Sequence, residues 1–147
     1  MRVLRGPWSK ERIEQHLREA VVPIRLASLD PEGFPVVVSL WFLYEDGCLW
    51  CATQAGARVV ARLRGDGRCG FEVAADVPPY RGVRGRAVAT IDPPRGAELL
   101  PRLIARYLGS GDSPLARWLV ARAATEVAIR LDPLRMTSWD FTRRMTA

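Results

Sequence analysis

The sequence predicts a mainly β domain of the α+β class, a small antiparallel barrel of six or seven short strands with a few peripheral helices. Three observations predict it. Apolar residues recur with period two in most segments between Val22 and Phe141, which is the side-chain repeat of a strand. Helical periodicity is confined to a few peripheral places. The chain has 147 residues, 48% apolar and 26% charged, an ordinary globular balance. A chain of that length buries roughly 68–70% of its unfolded surface and needs no metal or disulfide staple. One domain over residues 1–147 is expected, with the helical segment 1–20 included.

Taken in order, Ser9–Ala20 reads as an amphipathic helix, with Ser9 as N-cap and Ile13, Leu17 and Ala20 on one face. Val22–Leu29 is then a strand, Asp30–Gly33 a turn, and Pro35–Tyr44 the next strand. Glu45–Gly47 turns the chain into Cys48–Thr53, so these three strands are expected to form a meander. Both faces of Val36–Leu43 are apolar: Val36, Val38, Leu40 and Phe42 on one, Val37, Trp41 and Leu43 on the other beside Ser39. A sheet with one wet face would alternate. This strand needs a second cover, which a helix, a second subunit or a flat ligand could supply. Gly56–Arg64 reads as a short helix with Val59, Val60 and Leu63 inward, stopped by Gly65–Gly67. Strands follow at Arg68–Ala75 and Tyr80–Ile91, then helices at Gly96–Leu108 and after the cap Asp112–Pro114. Glu126–Leu131 and Met136–Phe141 are expected as the last two strands.

Charge excludes less than it suggests. Lys and Arg number 22 against 16 Asp and Glu, a net charge of +6, and Lys10 is the single lysine. The sequence contains no Asn, and its bias toward Arg fits a GC-rich genome or a warm habitat. The longest apolar stretch, Val36–Tyr44, is about half of what a spanning helix requires. The start, Met1–Pro7, has no apolar signal core, so a cytoplasmic location is expected. Three cysteines, Cys48, Cys51 and Cys69, fit a reducing compartment.

Few residues are arranged for catalysis, and no catalytic residue is assigned. Gly65, Gly67 and Gly70 match G-x-G-x-x-G, but the helix precedes and the strand follows, the reverse of a dinucleotide fingerprint. Cys48 and Cys51 would point to opposite faces of a strand, so they read as small buried hydrophobes and no metal site is expected. His16, the single histidine, reads as a solvated helix-surface residue. The acids Asp30, Glu32, Glu45 and Asp46 belong to hairpin turns. What remains is Cys51–Arg58, which runs from a strand through small residues into a helix start. Helix N-termini favour anions, and an arginine in the first turn costs about 0.3–1 kcal/mol unless an anion compensates. Thr53 and Arg58 would make a phosphate cradle there; the same residues also fit an arginine on a wet helix face.

The order of these features resembles the pyridoxamine 5′-phosphate oxidase-like flavoproteins, with the FMN-binding split β-barrel, and in particular their FMN/deazaflavin-dependent oxidoreductase branch. The likeness is carried by Ile24–Gly33, Pro35–Thr53, Gly56–Leu63 and Pro79–Ala87, with Thr137–Phe141 at the end, and spans about Val21 to Phe141. It implies a homodimer with the cofactor in a groove at the subunit interface. The cofactor would be FMN or, alternatively, the deazaflavin coenzyme F-420. It further implies that Val37, Val38, Ser39, Leu40 and Trp41 line the ring, that Ala52 and Thr53 flank the ribityl chain, and that Arg58 holds the phosphate. The family commonly follows this arginine with a lysine, where this chain has Val59; Arg62, Arg81 or Arg84 are the candidate substitutes. The implied activity is hydride transfer between cofactor and an unidentified small molecule. Two other readings stand beside it: a non-catalytic cofactor carrier or sensor, and a basic nucleic-acid-binding barrel. Against the last, the arginines are scattered and paired with acids, and no strand face interleaves them with aromatics.

Overall fold

The computed structural model describes residues 2–146. Strand β1 (Val3–Arg5) leads into helix α1 (Lys10–Glu19), whose N-cap is Ser9: its side chain accepts from the Arg12 N–H. Then follow β2 (Ile24–Leu29), β3 (Pro35–Leu40), β4 (Phe42–Glu45) and β5 (Cys48–Gln54). Helix α2 (Arg58–Gly65) separates them from β6 (Arg68–Ala74) and β7 (Arg81–Asp92). Helices α3 (Gly96–Leu108) and α4 (Pro114–Ala121), the long strand β8 (Glu126–Asp140) and a last turn of helix, α5 (Thr142–Met145), complete the chain.

The strands form one sheet in the order β3-β2-β6-β7-β8-β5-β4, antiparallel throughout, and β1 adds in parallel to β8. The two ends of that path, β3 and β4, are consecutive pieces of one segment, bent at Trp41. Hence the expected meander is replaced by two hairpins, β2–β3 and β4–β5, at opposite ends of the sheet, and the chain itself joins those ends. The bend has a visible support. It takes Phe42 N–H out of the β3 ladder, and the Tyr107 hydroxyl of α3 accepts it at 3.2 Å while donating to the Val22 carbonyl at 2.9 Å. Trp41 stacks on the Tyr107 ring, centroids 5.1 Å apart and planes 4° from parallel.

At the other end of the chain, the two expected strands are one. β8 runs unbroken through Pro133, and the irregularity is absorbed as a bulge: Arg86 pairs with Arg135 and Ala87 with Pro133, leaving Leu134 over. β1, too short for a sequence period to announce it, is held by β8 and by Trp8, whose backbone N–H donates to Ser138 Oγ and whose indole donates to Asp140.

The inner face of the sheet closes on Leu26, Phe42, Leu49, Val73, Ile129 and Leu131, with Ile13 and Leu17 of α1 and Val60 and Leu63 of α2 packed among them. The outer face of β4–β5–β8 is covered by α3, where Leu99 and Leu103 meet Leu43, Trp50 and Ala128. α4 packs in turn on α3 through Ala116, Leu100 and Ile104. No helix of the described residues is long and apolar enough to cross a membrane.

Candidate functional site

β3 sets the geometry. Its residues alternate between half-buried and exposed: Val36, Val38 and Leu40 lean inward, while Val37 and Ser39 face out, Val37 at 65% exposure. Val38 and Leu40 pack against the core of the barrel. The outward face that the sequence marks as needing a second cover carries none from this chain's own helices at Val37. Trp41, at the bend, turns instead toward α3, where it meets Ala52 in one cluster. Thr53, half-buried, sits opposite Val127 in the β5–β8 ladder.

From Thr53 the chain makes the turn into α2. Ala57 N–H donates to the Gln54 carbonyl at 3.0 Å, and Ala55 N–H to the Thr125 carbonyl at 2.9 Å. Gln54 is the anchor of this turn: its amide donates to the Arg122 carbonyl and to Glu126 Oε1, both at 3.1 Å, and its carbonyl accepts from Thr125 Oγ1 at 2.5 Å. Sequence reasoning misses Gln54, because its partner Glu126 lies 72 positions away. α2 then begins without any side-chain cap, since Ala57 occupies the N-cap, and its first turn holds no acid. Its first-turn N–H groups have no side-chain cap, and a Cβ at Gly56 would meet nothing within 4 Å. The start of the helix is open.

Arg58, exposed at the first helical position, and Arg62, one turn on, line a groove of about 820 Å³ between α2 and the β2–β3 hairpin. Arg62 Nε also donates to the buried Ser28 hydroxyl at 2.9 Å, which fixes its direction. Arg68 shares the groove but is engaged by Asp66 at 2.7 Å; hydrogen bonds from Arg68 hold that carboxyl down to about 2. Val59 points the other way and is 5% exposed, part of the core. Of the three candidate substitutes for the missing lysine, only Arg62 lines this groove. Arg84 lines a different groove on the outer sheet face and lies over the Trp139 ring; Arg81 begins β7 and lines neither. The cofactor-binding set is also divided: Val37 faces that outer groove, Trp41 and Ala52 sit under α3, and Arg58 begins α2.

Two other sequence readings meet the structure here. His16 is not a solvated surface residue: it is half-buried, its Nε2 lies 2.9 Å from the Val73 carbonyl, and its ring tilts against Trp8. Burial lowers its pKa first, with Arg12 and Arg81 adding to the fall against the pull of the Val73 carbonyl. The cysteines are all buried and free. Burial pushes Cys51 up to about 12 and Cys69 up to about 11, so neither is a thiolate near neutral pH. Cys48 and Cys51 pack in separate clusters, under α3 and inside the barrel.

The sequence matches the family profile of pyridoxamine 5′-phosphate oxidase over residues 10–139. No curated protein matches it. Among solved structures it is similar to a conserved hypothetical protein of Mycobacterium tuberculosis, 26% identical, covering 91% of this chain and 86% of that one with a TM-score of 0.74. It is also similar to an F420 reductase, 23% identical over 88% and 97% of the two chains, TM-score 0.72. The heme storage protein HutZ of Vibrio cholerae shares the fold at 20% identity over 84% and 89%, TM-score 0.61.

Proposed function

This chain belongs to the pyridoxamine 5′-phosphate oxidase family, and from that premise we propose that it is a cytoplasmic, homodimeric oxidoreductase using FMN or the deazaflavin coenzyme F-420. The observation that carries the reading is the open start of α2, uncapped and acid-free, with Arg58 and Arg62 on the groove beside it. Uncapped backbone N–H groups at the helix start, with the Arg58 and Arg62 guanidiniums on the groove alongside, suit a cofactor phosphate. Arg62 takes the part of the lysine that Val59 replaces, reaching the phosphate from the second turn while bonded to Ser28. The apolar outer face at Val37 and Ser39 suits a flat ring covered by a second subunit, and Ala52 and Thr53 lead from the ring to the phosphate. When bound, the cofactor supplies hydride transfer to or from a small molecule. The protein's part is to grip the phosphate, seat the ring against β3 and exclude water.

The test is purification followed by titration with FMN and with F-420, read by fluorescence. The expected result is a yellow protein, or one that binds either cofactor at micromolar concentration, with Arg58→Gln weakening binding about tenfold or more. A colourless protein that binds neither cofactor overturns the reading. Binding without any substrate-dependent reoxidation would favour a carrier or sensor over an enzyme.

A further inference from the structure

We infer that Glu126 is a positioning residue for the start of α2: it holds the turn that presents the first N–H groups of the helix, and anion binding there is linked to the gain of a proton on its carboxyl. The inference rests on the phosphate reading of that helix start and adds a regulator to it. Glu126 opens β8 directly opposite Gln54, the last residue of β5. It is 7% exposed, the one buried acid among the described residues, and it takes part in no ion pair there. Its Oε1 accepts from the Gln54 amide at 3.1 Å, while its Oε2 is enclosed and has no hydrogen-bond partner. That grip reaches the helix through the backbone. The Gln54 carbonyl accepts from Ala57 N–H at 3.0 Å, and the Ala57 carbonyl from Val60 N–H at 3.1 Å. Ala55, Gly56 and Ala57 have no polar side chain to fix the turn, so it hangs on Gln54 and on the Thr125 carbonyl, which accepts from Ala55 N–H.

A glutamine at this position would keep the bond to Gln54 and avoid the cost of enclosing a carboxylate. What the acid adds is a charge that can be present or absent. Burial raises its pKa first, against the Gln54 hydrogen bond and the Arg122 charge, which favours the neutral form. The charged groups around it are engaged elsewhere. The Arg122 guanidinium lies over the Trp118 ring, 4.4 Å from its centroid. At the start of α3, whose Gly96 lies against the Glu126 carbonyl, Arg95 pairs with Glu98 and Glu45. Asp92 ends β7 opposite Ala128, two residues along β8, and Arg58 lies on the α2 groove. None of these side chains bonds the Glu126 carboxyl among the described residues. An anion at the helix start and an ionised Glu126 oppose each other, so each weakens the other by the same factor. Anion affinity therefore falls as pH rises through the Glu126 titration.

The experiment is a titration of the full chain with inorganic sulfate between pH 5 and pH 8 at fixed ionic strength, followed by NMR at the Arg58, Val59 and Val60 amides. Sulfate keeps its charge over this range, so the probe's own titration does not enter. Amide exchange is measured alongside without sulfate. Sulfate affinity in the parent is expected to fall about fivefold from pH 5 to pH 8. Glu126→Gln should bind like the parent at pH 5, hold that affinity at pH 8, and leave exchange at Ala57 and Val60 at the parent's rate. Glu126→Ala should speed exchange at those two amides about tenfold or more while the slow amides of the barrel core stay as they are. His16→Gln, which removes the single histidine, should leave the pH dependence in place. Parent exchange rates in Glu126→Ala overturn the hold on the turn. Binding that does not vary with pH, or that varies alike in Glu126→Gln, overturns the proton link and leaves the phosphate reading standing. Sulfate that moves none of the α2 amides at any pH overturns that reading, and the link with it.

Discussion

His16 shows what one buried titratable group does to stability. Its imidazole is held against the Val73 carbonyl under Trp8, and burial, with Arg12 and Arg81 nearby, depresses its pKa in the folded chain. The unfolded chain titrates near the ordinary value of about 6.5, so between that value and the lower folded one the unfolded state binds more protons. Stability therefore falls as pH drops below about 6.5 and is recovered above it. Urea unfolding between pH 5 and 8 should show this slope in the parent and a flatter one in His16→Gln; equal slopes would place the dependence on other groups. Arg106 acts by geometry rather than titration. Its guanidinium donates to the Arg18 and Ala20 carbonyls at 2.6 Å and to Leu17 at 3.3 Å, which are carbonyls from the end of α1 with no helical partner. Arg106→Met keeps much of the stem's packing and loses these bonds, at an expected cost of about 2–3 kcal/mol in chemical denaturation. Neither role could be read from the sequence. His16 sits on α1 at a position that periodicity places beside the core, and only the fold reveals that β6 passes over it. Arg58 is the opposite case: a cation at a helix start with no acid near it is legible, because capping is local.

At the scale of elements, local signals carried most of the fold; one split strand and one merger offset each other in the count, and β1 is the strand over. Turns at Asp30–Gly33, Glu45–Gly47 and Gly65–Gly67 stand where their residues put them, and Val59, Val60 and Leu63 face inward as their spacing requires. Pro35–Tyr44 read as one strand because its apolar run is continuous; it is two, since closing the sheet needs a bend that no Gly or Pro announces. Glu126–Phe141 read as two because Pro133 interrupts it; it is one, since a bulge accommodates the proline. Both choices depend on partners distant in sequence, and so did β1. The bend at Trp41 makes a definite prediction about α3. Tyr107→Phe removes the hydroxyl that serves both Phe42 N–H and the Val22 carbonyl. Two backbone groups lose their partner, so the variant should lose about 1–3 kcal/mol in equilibrium denaturation. A loss under about 0.5 kcal/mol would mean that water replaces the hydroxyl and that the bend is held by the Trp41 stack instead.

For the molecule as a whole, the excess of arginine divides into three populations. Some guanidiniums are structural, as Arg106 on the end of α1. Others are paired at the surface, as Arg18 with Glu14, and such pairs contribute little. Others line two grooves on different sides of the β2–β3 hairpin, Arg58, Arg62 and Arg68 at α2 and Arg25, Arg84, Arg86 and Arg135 on the outer sheet. That distribution is what a net charge of +6 leaves out, since the charge describes the sum while recognition depends on where unpaired cations converge. It also yields a test of the α2 groove that needs no substrate. A ligand binding only the folded state at a hundred times its Kd adds about 2.7 kcal/mol, which for a chain of this size raises the melting midpoint by about 5–10 °C. Saturating FMN or F-420 should produce that rise in the parent. Arg58 is exposed and makes no ion pair among the described residues, so Arg58→Gln should melt with the parent when no ligand is added and lose most of the rise. If Arg58→Gln kept the rise in full, the cofactor phosphate would lie elsewhere than at the start of α2.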